Sequence, residues 1–361
     1  MTQPAISIAL ATFNGERHLE PQLRSLAAQS RLPAELVVVD DGSTDATKAM
    51  VGDFAKTAPF PVRLYENASR LGYRGNFMHA AGLCEGDLIA FCDQDDIWEP
   101  HKLAVMAPLF DDPAVLLAYH NATIVDEDLT PLGELYDAAA GRKSLPPLAT
   151  HPWRLIKGFT QVFRRSLAQY SALQPSSVDP YWPDKSLAHD QWFPFLASVL
   201  GSTIRLAKPL AQYRQHAANE HGWTAQSRLE PRPHFLLGAG FIAAAENRVE
   251  LLKQLAEQAG PEYRPAIEVA VGYYDELARR LSERNSLYQS PSIAVRARTA
   301  QSLLRQGAYR AAFRGAHPGR RDATAREMDR ARPGAPGFGW TGLLMDISAG
   351  VVLGPRAKGL L

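Results

Sequence analysis

Over the first hundred residues, short unbroken apolar runs alternate with stretches in which apolar side chains return every three or four positions. Residues 6–11 form a buried-strand run. Asn14-Gly15 turns the chain, and 19–28 carries Leu19, Leu23, Leu26 and Ala27 at helical spacing. Pro33 ends that pattern. Glu35–Asp40 is a β-branched strand ending in acids, Gly42 turns, and Ser43 or Thr44 is placed to cap a helix reaching about residue 55. Val62–Glu66 reads as a third strand, 76–83 as a helix and 87–92 as a fourth strand. Such alternation predicts an α/β fold with a mostly parallel central sheet flanked by helices. Ligands of such sheets bind beyond the carboxyl ends of the strands. That singles out the polar residues at three strand ends: Thr12 with Asn14, Asp40 with Asp41, and Asp93 with Asp95 and Asp96.

From 106 to 225 the pattern is mixed, with strand-like pieces at 115–120 and 204–208 and irregular stretches at 144–152 and 174–185. Beyond 234 it becomes helical, at 235–256, 265–281 and 292–313. Residues 315–339 are rich in Gly, Pro and Arg and read as a linker. The apolar stretch 340–353 contains Asp346 and is too short to span a bilayer. No internal repeat is present. At 361 residues the chain has the length of about two domains.

Charge changes this picture at one place. The net charge is +1, which excludes a strongly basic nucleic-acid binder, yet residues 291–361 hold 12 Lys and Arg against four acids. The tail is therefore expected to meet different surroundings from the rest, with peripheral contact to an anionic membrane as one reading and a solvated tail as the other. Cys84 and Cys92 are the only cysteines, too few for a disulfide scaffold or a four-cysteine zinc site. No secretory signal is evident in the first residues, so a cytoplasmic location is expected, possible membrane contact included.

The strongest chemical signal is Phe91-Cys92-Asp93-Gln94-Asp95-Asp96-Ile97-Trp98. Three carboxylates in four residues repel one another unless a cation or amide donors compensate. Asp-x-Asp spacing suits Mg²⁺ or Mn²⁺ held by one or two carboxylates and a substrate's phosphates. A calcium EF-hand loop fails, because its Gly and Glu positions are filled by Trp98 and Ala104. The plainer alternative is that Asp95 or Asp96 caps a helix starting near Pro100. Val38-Val39-Asp40-Asp41-Gly42-Ser43-Thr44-Asp45 is a second candidate, able to hold a base, ribose or phosphate, or to form only a strand, turn and cap.

Taken in order, Ala11-Thr12-Phe13-Asn14-Gly15, Val38 to Asp45, Asn67, Leu71-Gly72, Asn76-Phe77 and Asp93-Gln94-Asp95-Asp96-Ile97-Trp98 resemble glycosyltransferase family 2. The longer Phe91 to Trp98 string with Tyr213-Arg214-Gln215-His216 resembles its bacterial rhamnosyltransferase-like branch. The resemblance implies a GT-A type fold, and the helical pattern beyond 234 adds a helical C-terminal extension outside the family core. The resemblance also implies a nucleotide-sugar-binding half at 1–105 and an acceptor half at 106–225, to which the residue pattern adds a helical extension at 226–314 and a basic linker with a short apolar tail at 315–361. It implies an inverting, metal-dependent hexosyltransferase using a pyrimidine-diphosphate sugar, with dTDP-rhamnose the leading donor and a glycan or lipid-linked acceptor. By matched positions, Thr12, Asn14, Asp41, Arg70, Asn76, Asp93, Gln94 and Arg214 would bind the nucleotide sugar. Asp95 and His216 would hold Mg²⁺ or Mn²⁺, and Asp190, in Ala188-His189-Asp190-Gln191-Trp192, would be the catalytic base. As plain structure, Asp190 would cap the helix that follows it. The acceptor-side stretch Gly158-Phe159-Thr160-Gln161-Val162-Phe163 departs from the family's usual motif, which points to an unusual acceptor pocket.

Other candidates are weaker. Gly238-Ala239-Gly240-Phe241-Ile242-Ala243 fits the dinucleotide string but follows prolines rather than a strand, so it is expected to be small residues at a helix contact. His18 and His79 lack partner histidines at metal spacing and are expected to be structural. Two rival classes stay open: a nucleotidyltransferase, whose Gly-rich basic loop does not match Thr12-Phe13-Asn14-Gly15-Glu16, and a non-catalytic sugar-nucleotide-binding module.

Overall fold

A computed structural model describes residues 3–136, 141–216, 239–308, 343 and 346–353. It divides into two compact units, the described residues of Met1–Gln174 with Leu187–Trp223, and those of Pro175–Ser186 with Thr224–Leu361.

The first unit is built on β1 (Ile6–Thr12), β2 (Glu35–Asp40), β3 (Val62–Glu66) and β4 (Leu88–Cys92), in the order β3-β2-β1-β4 and all parallel. Every residue of β1, β2 and β4 is buried, as a strand covered on both faces requires. Helices α1 (Leu19–Ala27), α2 (Thr47–Ala55) and α3 (Gly72–Leu83) follow the first three strands. Beyond β4 the sheet becomes mixed. After β5 (Ile97–Trp98) and α4 (Lys102–Met106) come β6 (Val115–Val125), β7 (Pro131–Glu134), β8 (Lys143–Leu145) and β9 (Gln161–Arg164). Helix α5 (His189–Leu200) and β10 (Ser202–Arg214) complete the unit. The order continues β4-β9-β6-β10-β5, with β9 antiparallel to both β4 and β6, and β10 parallel to β6. Two reversals through β9 restore the direction of β4. The carboxyl ends of β1, β2, β4, β6 and β10 and the first residue of β9 therefore share one edge, and the site is assembled there.

Three boundaries differ from the sequence pattern, each for a physical reason. Strand β6 runs on past residue 120 because Asn121 finds partners inside. Asn121, wholly buried, donates to the Glu134 carboxylate and the Tyr136 carbonyl and accepts from the Tyr136 amide. Strand β10 continues through Pro209 by register shifts against β6 on either side of that residue. Helix α3 starts four residues early because Asp41, some thirty residues upstream, accepts from the Leu71 and Gly72 amides at 2.7 and 2.8 Å. Gly72 has φ +68, a conformation that suits glycine. At α2 the expected hydroxyl cap is replaced by Asp45, whose carboxylate accepts from the Thr47 amide, while Ser43 is committed to Asp40 and Asn14.

The second unit is helical: α6 (Ala239–Gln258), α7 (Arg264–Gln289), α8 (Ile293–Arg305) and a short helical segment, Asp346–Leu353. Phe241, Leu251, Leu252 and Leu255 of α6 and Ile267, Tyr274, Leu277 and Leu281 of α7 supply its buried apolar side chains. Gly240 is where backbone approaches closely, since a Cβ there would stand 2.7 Å from the Pro180 carbonyl. That fits the small-residue helix contact expected for the Gly-x-Gly string. The segment 346–353, expected to be an apolar tail, is fastened by charge. Arg284 and Asp346 are both buried and paired at 2.7 Å, Tyr288 donates to Asp346, and Arg296 donates to the Val351 carbonyl. The linker expected at 315–339 lies outside the described residues. Among the described residues no helix is long and apolar enough to cross a membrane.

Candidate active site

Each strand-end loop is tied to the next by side chains rather than by long stretches of regular structure. After β1, the Thr12 hydroxyl donates to Asp40 at 2.8 Å. The Asn14 amide donates to Ser43 Oγ, and the Asn14 side-chain oxygen accepts from the Thr44 amide. Asn14 holds φ +46, a strained value that this clasp maintains. After β2, Asp41 accepts from Asn67 and from the two α3 amides. Asn67 donates to Asn76, and Asn76 reaches the Val39 carbonyl at 3.0 Å. Thr12, Asn14, Asp41 and Asn76 are thus brought together, and all four carry hydrogen bonds that hold the loops. Phe13 sits half-buried between them, with the Arg70 guanidinium 3.9 Å from its ring centroid. Gln94 grips the same residue from the β4 side, accepting from the Phe13 amide at 2.9 Å and donating to its carbonyl at 3.1 Å. A Cβ on Gly15 would lie 2.3 Å from the Gln94 side-chain oxygen, which is why this loop carries glycine.

The acids after β4 do not cap α4, since the Lys102 amide donates to the Glu99 carbonyl instead. Asp96 is wholly buried. One of its carboxylate oxygens accepts from the Arg214 amide, and the other has no hydrogen-bond partner. Burial, then Asp95 and Asp93, push the Asp96 carboxyl well above the ordinary range. Burial also lifts Asp93 to about 7. Asp95 adds to that rise, Asp190 contributes, and Lys157 and Lys102 oppose it. Asp190 is therefore within electrostatic reach of the acidic loop. Lys102 is fully buried behind it, donating to the Phe159 carbonyl at 2.7 Å and lying 3.3 Å from the Trp98 ring centroid. Burial lowers its pKa to about 7 against the pull of Cys92, Asp96 and Asp93.

Asp95 faces His216, Oδ2 to Nε2 at 2.9 Å, and its carbonyl accepts from Arg214 Nε. His18, expected to be structural only, stacks on His216 with ring centroids 4.5 Å apart and planes at 29°. Burial first, then His216 and Arg214, hold His18 below its ordinary pKa. His79 is tied to Asn67. Among the described residues no group of three or more metal-binding side chains forms. The Asp95–His216 pair nonetheless fits a hexacoordinate ion. Adjacent ligands at about 2.1 Å from such an ion stand roughly 3 Å apart, and Mg²⁺ commonly takes one or two protein ligands beside phosphate and water.

Asp190 is the second residue of α5, and the N-cap position is Ala188, whose amide is taken by Gln191. The plain capping role thus falls elsewhere. Gln161 donates to the Asp190 carbonyl. A Cβ on Gly158 would meet His189 Nε2 at 2.5 Å, so the acceptor-side turn presses directly on the start of α5. His189 is buried against Phe77 and Phe91, and burial drops its pKa to about 3.

Residues 7–169 match the family model described as glycosyl transferase family 2. These residues belong to glycosyltransferase family 2. A Nostoc protein described as an uncharacterized glycosyltransferase is 25% identical over 297 residues, covering 80% of this chain and 83% of that one. The Escherichia coli β-1,3-glucosyltransferase WfgD is 28% identical over 123 residues, 34% of this chain and 47% of its own. The crystal structure of S. aureus TarS (residues 1–349) in complex with UDP-GlcNAc superposes with TM-score 0.50 at 18% identity, covering 85% of this chain and 93% of that one. The family 2 domain thus has a GT-A-like fold, and its motif acids occupy the shared strand edge. Phe13, His18, Lys102 and Lys157 also lie beside these acids and loops. Phe13 lies within the Ala11 to Gly15 motif, whereas His18, Lys102 and Lys157 carry no local sequence signal and are brought there by the fold.

Proposed function

We propose that this glycosyltransferase moves a hexose from a pyrimidine nucleoside diphosphate onto the hydroxyl of a glycan or lipid-linked acceptor, inverting the anomeric centre, in cell-surface polysaccharide assembly. The observation that carries the reading is the meeting, on one sheet edge, of the Asp93–Asp96 acids, the Asp95–His216 pair and Asp190. Phe13, with the Arg70 guanidinium over its ring, would line the base pocket, and Asp41, Asn14 and Thr12 shape the loops around it. Asp95 and His216 would hold Mg²⁺ or Mn²⁺, which when bound neutralises charge on the departing diphosphate. Arg214 lies beside them as a fixed positive group.

Asp190, in the first turn of α5 where helix amides favour an anion, takes the proton from the acceptor hydroxyl. That oxygen bonds to the anomeric carbon as the bond from this carbon to the diphosphate oxygen breaks, its electron pair leaving with the nucleotide. One displacement needs one base and inverts the centre. TarS has been solved with UDP-GlcNAc, and the name of WfgD gives UDP-Glc as donor and an undecaprenol-diphosphate acceptor, which supports a uridine or thymidine sugar and a lipid-linked acceptor. Rhamnose as the sugar rests on the motif resemblance. The basic residues of the C-terminal segment would favour an anionic lipid surface carrying such an acceptor.

Asp190→Asn tests the reading. The amide keeps the shape but accepts no proton at neutral pH, so turnover should fall about 10²–10⁴-fold while donor affinity holds. Retention of more than about a tenth of wild-type turnover would place the base elsewhere.

A further inference from the structure

The stack between His18 and His216 lies outside the donor and acceptor contacts derived above. His18 immediately precedes α1, where its amide and that of Leu19 both donate to the Gly15 carbonyl at 3.0 Å. Gly15 in turn donates to Thr47 Oγ1 at 2.8 Å, so the backbone under His18 is pinned to α2. The His18 imidazole makes no hydrogen bond to another described residue and offers its ring face to His216 at 4.5 Å. On the far side of β10, the Gln215 amide donates to the Val125 carbonyl, and His216 lies one residue beyond. Its side chain is 8% exposed, with the Asp95 carboxylate at Nε2 and the His18 ring against its face.

We infer that His18 is a positioning residue: its ring face holds the His216 imidazole in register with Asp95, and it acts by shape rather than through its own nitrogens. This rests on the proposed role of Asp95 and His216 as ligands of a divalent cation. The loop after β1 would thereby control not only the nucleotide pocket but also the geometry of the cation pair. A flat ring at position 18 should suffice, and the loss of any ring should not.

The test uses the full chain with His18→Ala and His18→Phe, each first compared with wild type by melting. Free Mn²⁺ is titrated with each protein, without nucleotide, and read by electron paramagnetic resonance. His18→Ala should weaken Mn²⁺ binding by about 10–100-fold, the usual cost of removing support from a metal ligand, and His18→Phe should stay within about twofold of wild type. A metal-free readout stands beside it. In ¹³C-histidine-labelled protein, with His216 signals assigned by His216→Ala, the His216 ring protons should move on His18→Ala and keep a ring-current shift in His18→Phe. Equal weakening by both variants would overturn the inference, since the nitrogens would then be required. Unchanged Mn²⁺ affinity and unchanged His216 signals in His18→Ala would overturn it too. Wild type that binds no Mn²⁺, with His216 signals still sensitive to His18, would instead remove the cation role of the pair and leave the stack standing.

Discussion

Gly15→Ala probes how the nucleotide loop is held. A methyl group there would stand 2.3 Å from the Gln94 side-chain oxygen and 2.7 Å from its amide carbon, well inside contact distance. The cheapest relief is for the Gln94 side chain to swing away, which breaks both of its hydrogen bonds to Phe13. A hydrogen bond of this kind contributes about 0.5–1.5 kcal/mol net, so Gly15→Ala should cost about 1–3 kcal/mol. For a unit of about 200 residues that corresponds to roughly 2–4 °C of melting temperature per kcal/mol. Donor affinity should fall with it, because Phe13 loses its backbone anchor. Gln94→Ala removes the same two bonds without adding a methyl group. In a double-mutant cycle followed by urea unfolding, Gly15→Ala with Gln94→Ala should therefore cost no more than the worse single variant, and Gly15→Ala should be almost neutral once Gln94 is gone. Additive costs would refute the argument, as would Gly15→Ala costing less than about 0.5 kcal/mol in the wild-type background.

Two further outcomes follow from buried charge. Burial lifts Asp93 to about 7, so between about pH 4, where an unfolded Asp titrates, and pH 7 the folded state binds the additional proton. Wild type should then lose stability relative to Asp93→Asn as pH rises through that window. The difference is the quantity to measure by urea unfolding without metal, because His189, lowered to about 3, drives total stability the other way below about pH 6.5. In the helical unit, Asp346→Asn leaves Arg284 buried without its carboxylate and should cost about 3–5 kcal/mol by melting, whereas Arg284→Met with Asp346→Leu should recover most of that loss.

The parallel half of the sheet was legible because β1, β2 and β4 are covered on both faces, and burial on both faces leaves an unbroken apolar run in the sequence. Strands β6 and β10 were read short because His120, Asn121 and Pro209 interrupt such a run. The Asn121 side chain and the missing amide of Pro209 are accommodated by partners and register shifts that no local window contains. The same distinction holds in the site. Asp93, Asp95 and Asp96 announce themselves because repelling acids at a strand end require compensation. Asp41 reads as a turn acid, and only the fold shows that it starts α3. His18 reads as an isolated histidine in a helix start, and its partner is almost two hundred residues away. Lys102 looks like a surface lysine until the chain folds it beneath Trp98 and Phe159. Local pattern marks what must be buried or balanced, and long-range pairing decides with what.

The central claim is sugar transfer from a nucleoside diphosphate at the edge shared by Asp95 and Asp190. The most direct measurement incubates the full chain with UDP- and dTDP-sugars and Mn²⁺, with and without an undecaprenol-diphosphate-linked sugar acceptor, and follows nucleoside diphosphate release and the anomeric proton of the product. At least one donor should be consumed in an acceptor-dependent way, giving product of inverted configuration, with release suppressed in both Asp95→Asn and Asp190→Asn. Product of retained configuration, or release that persists undiminished in both variants, would contradict the account.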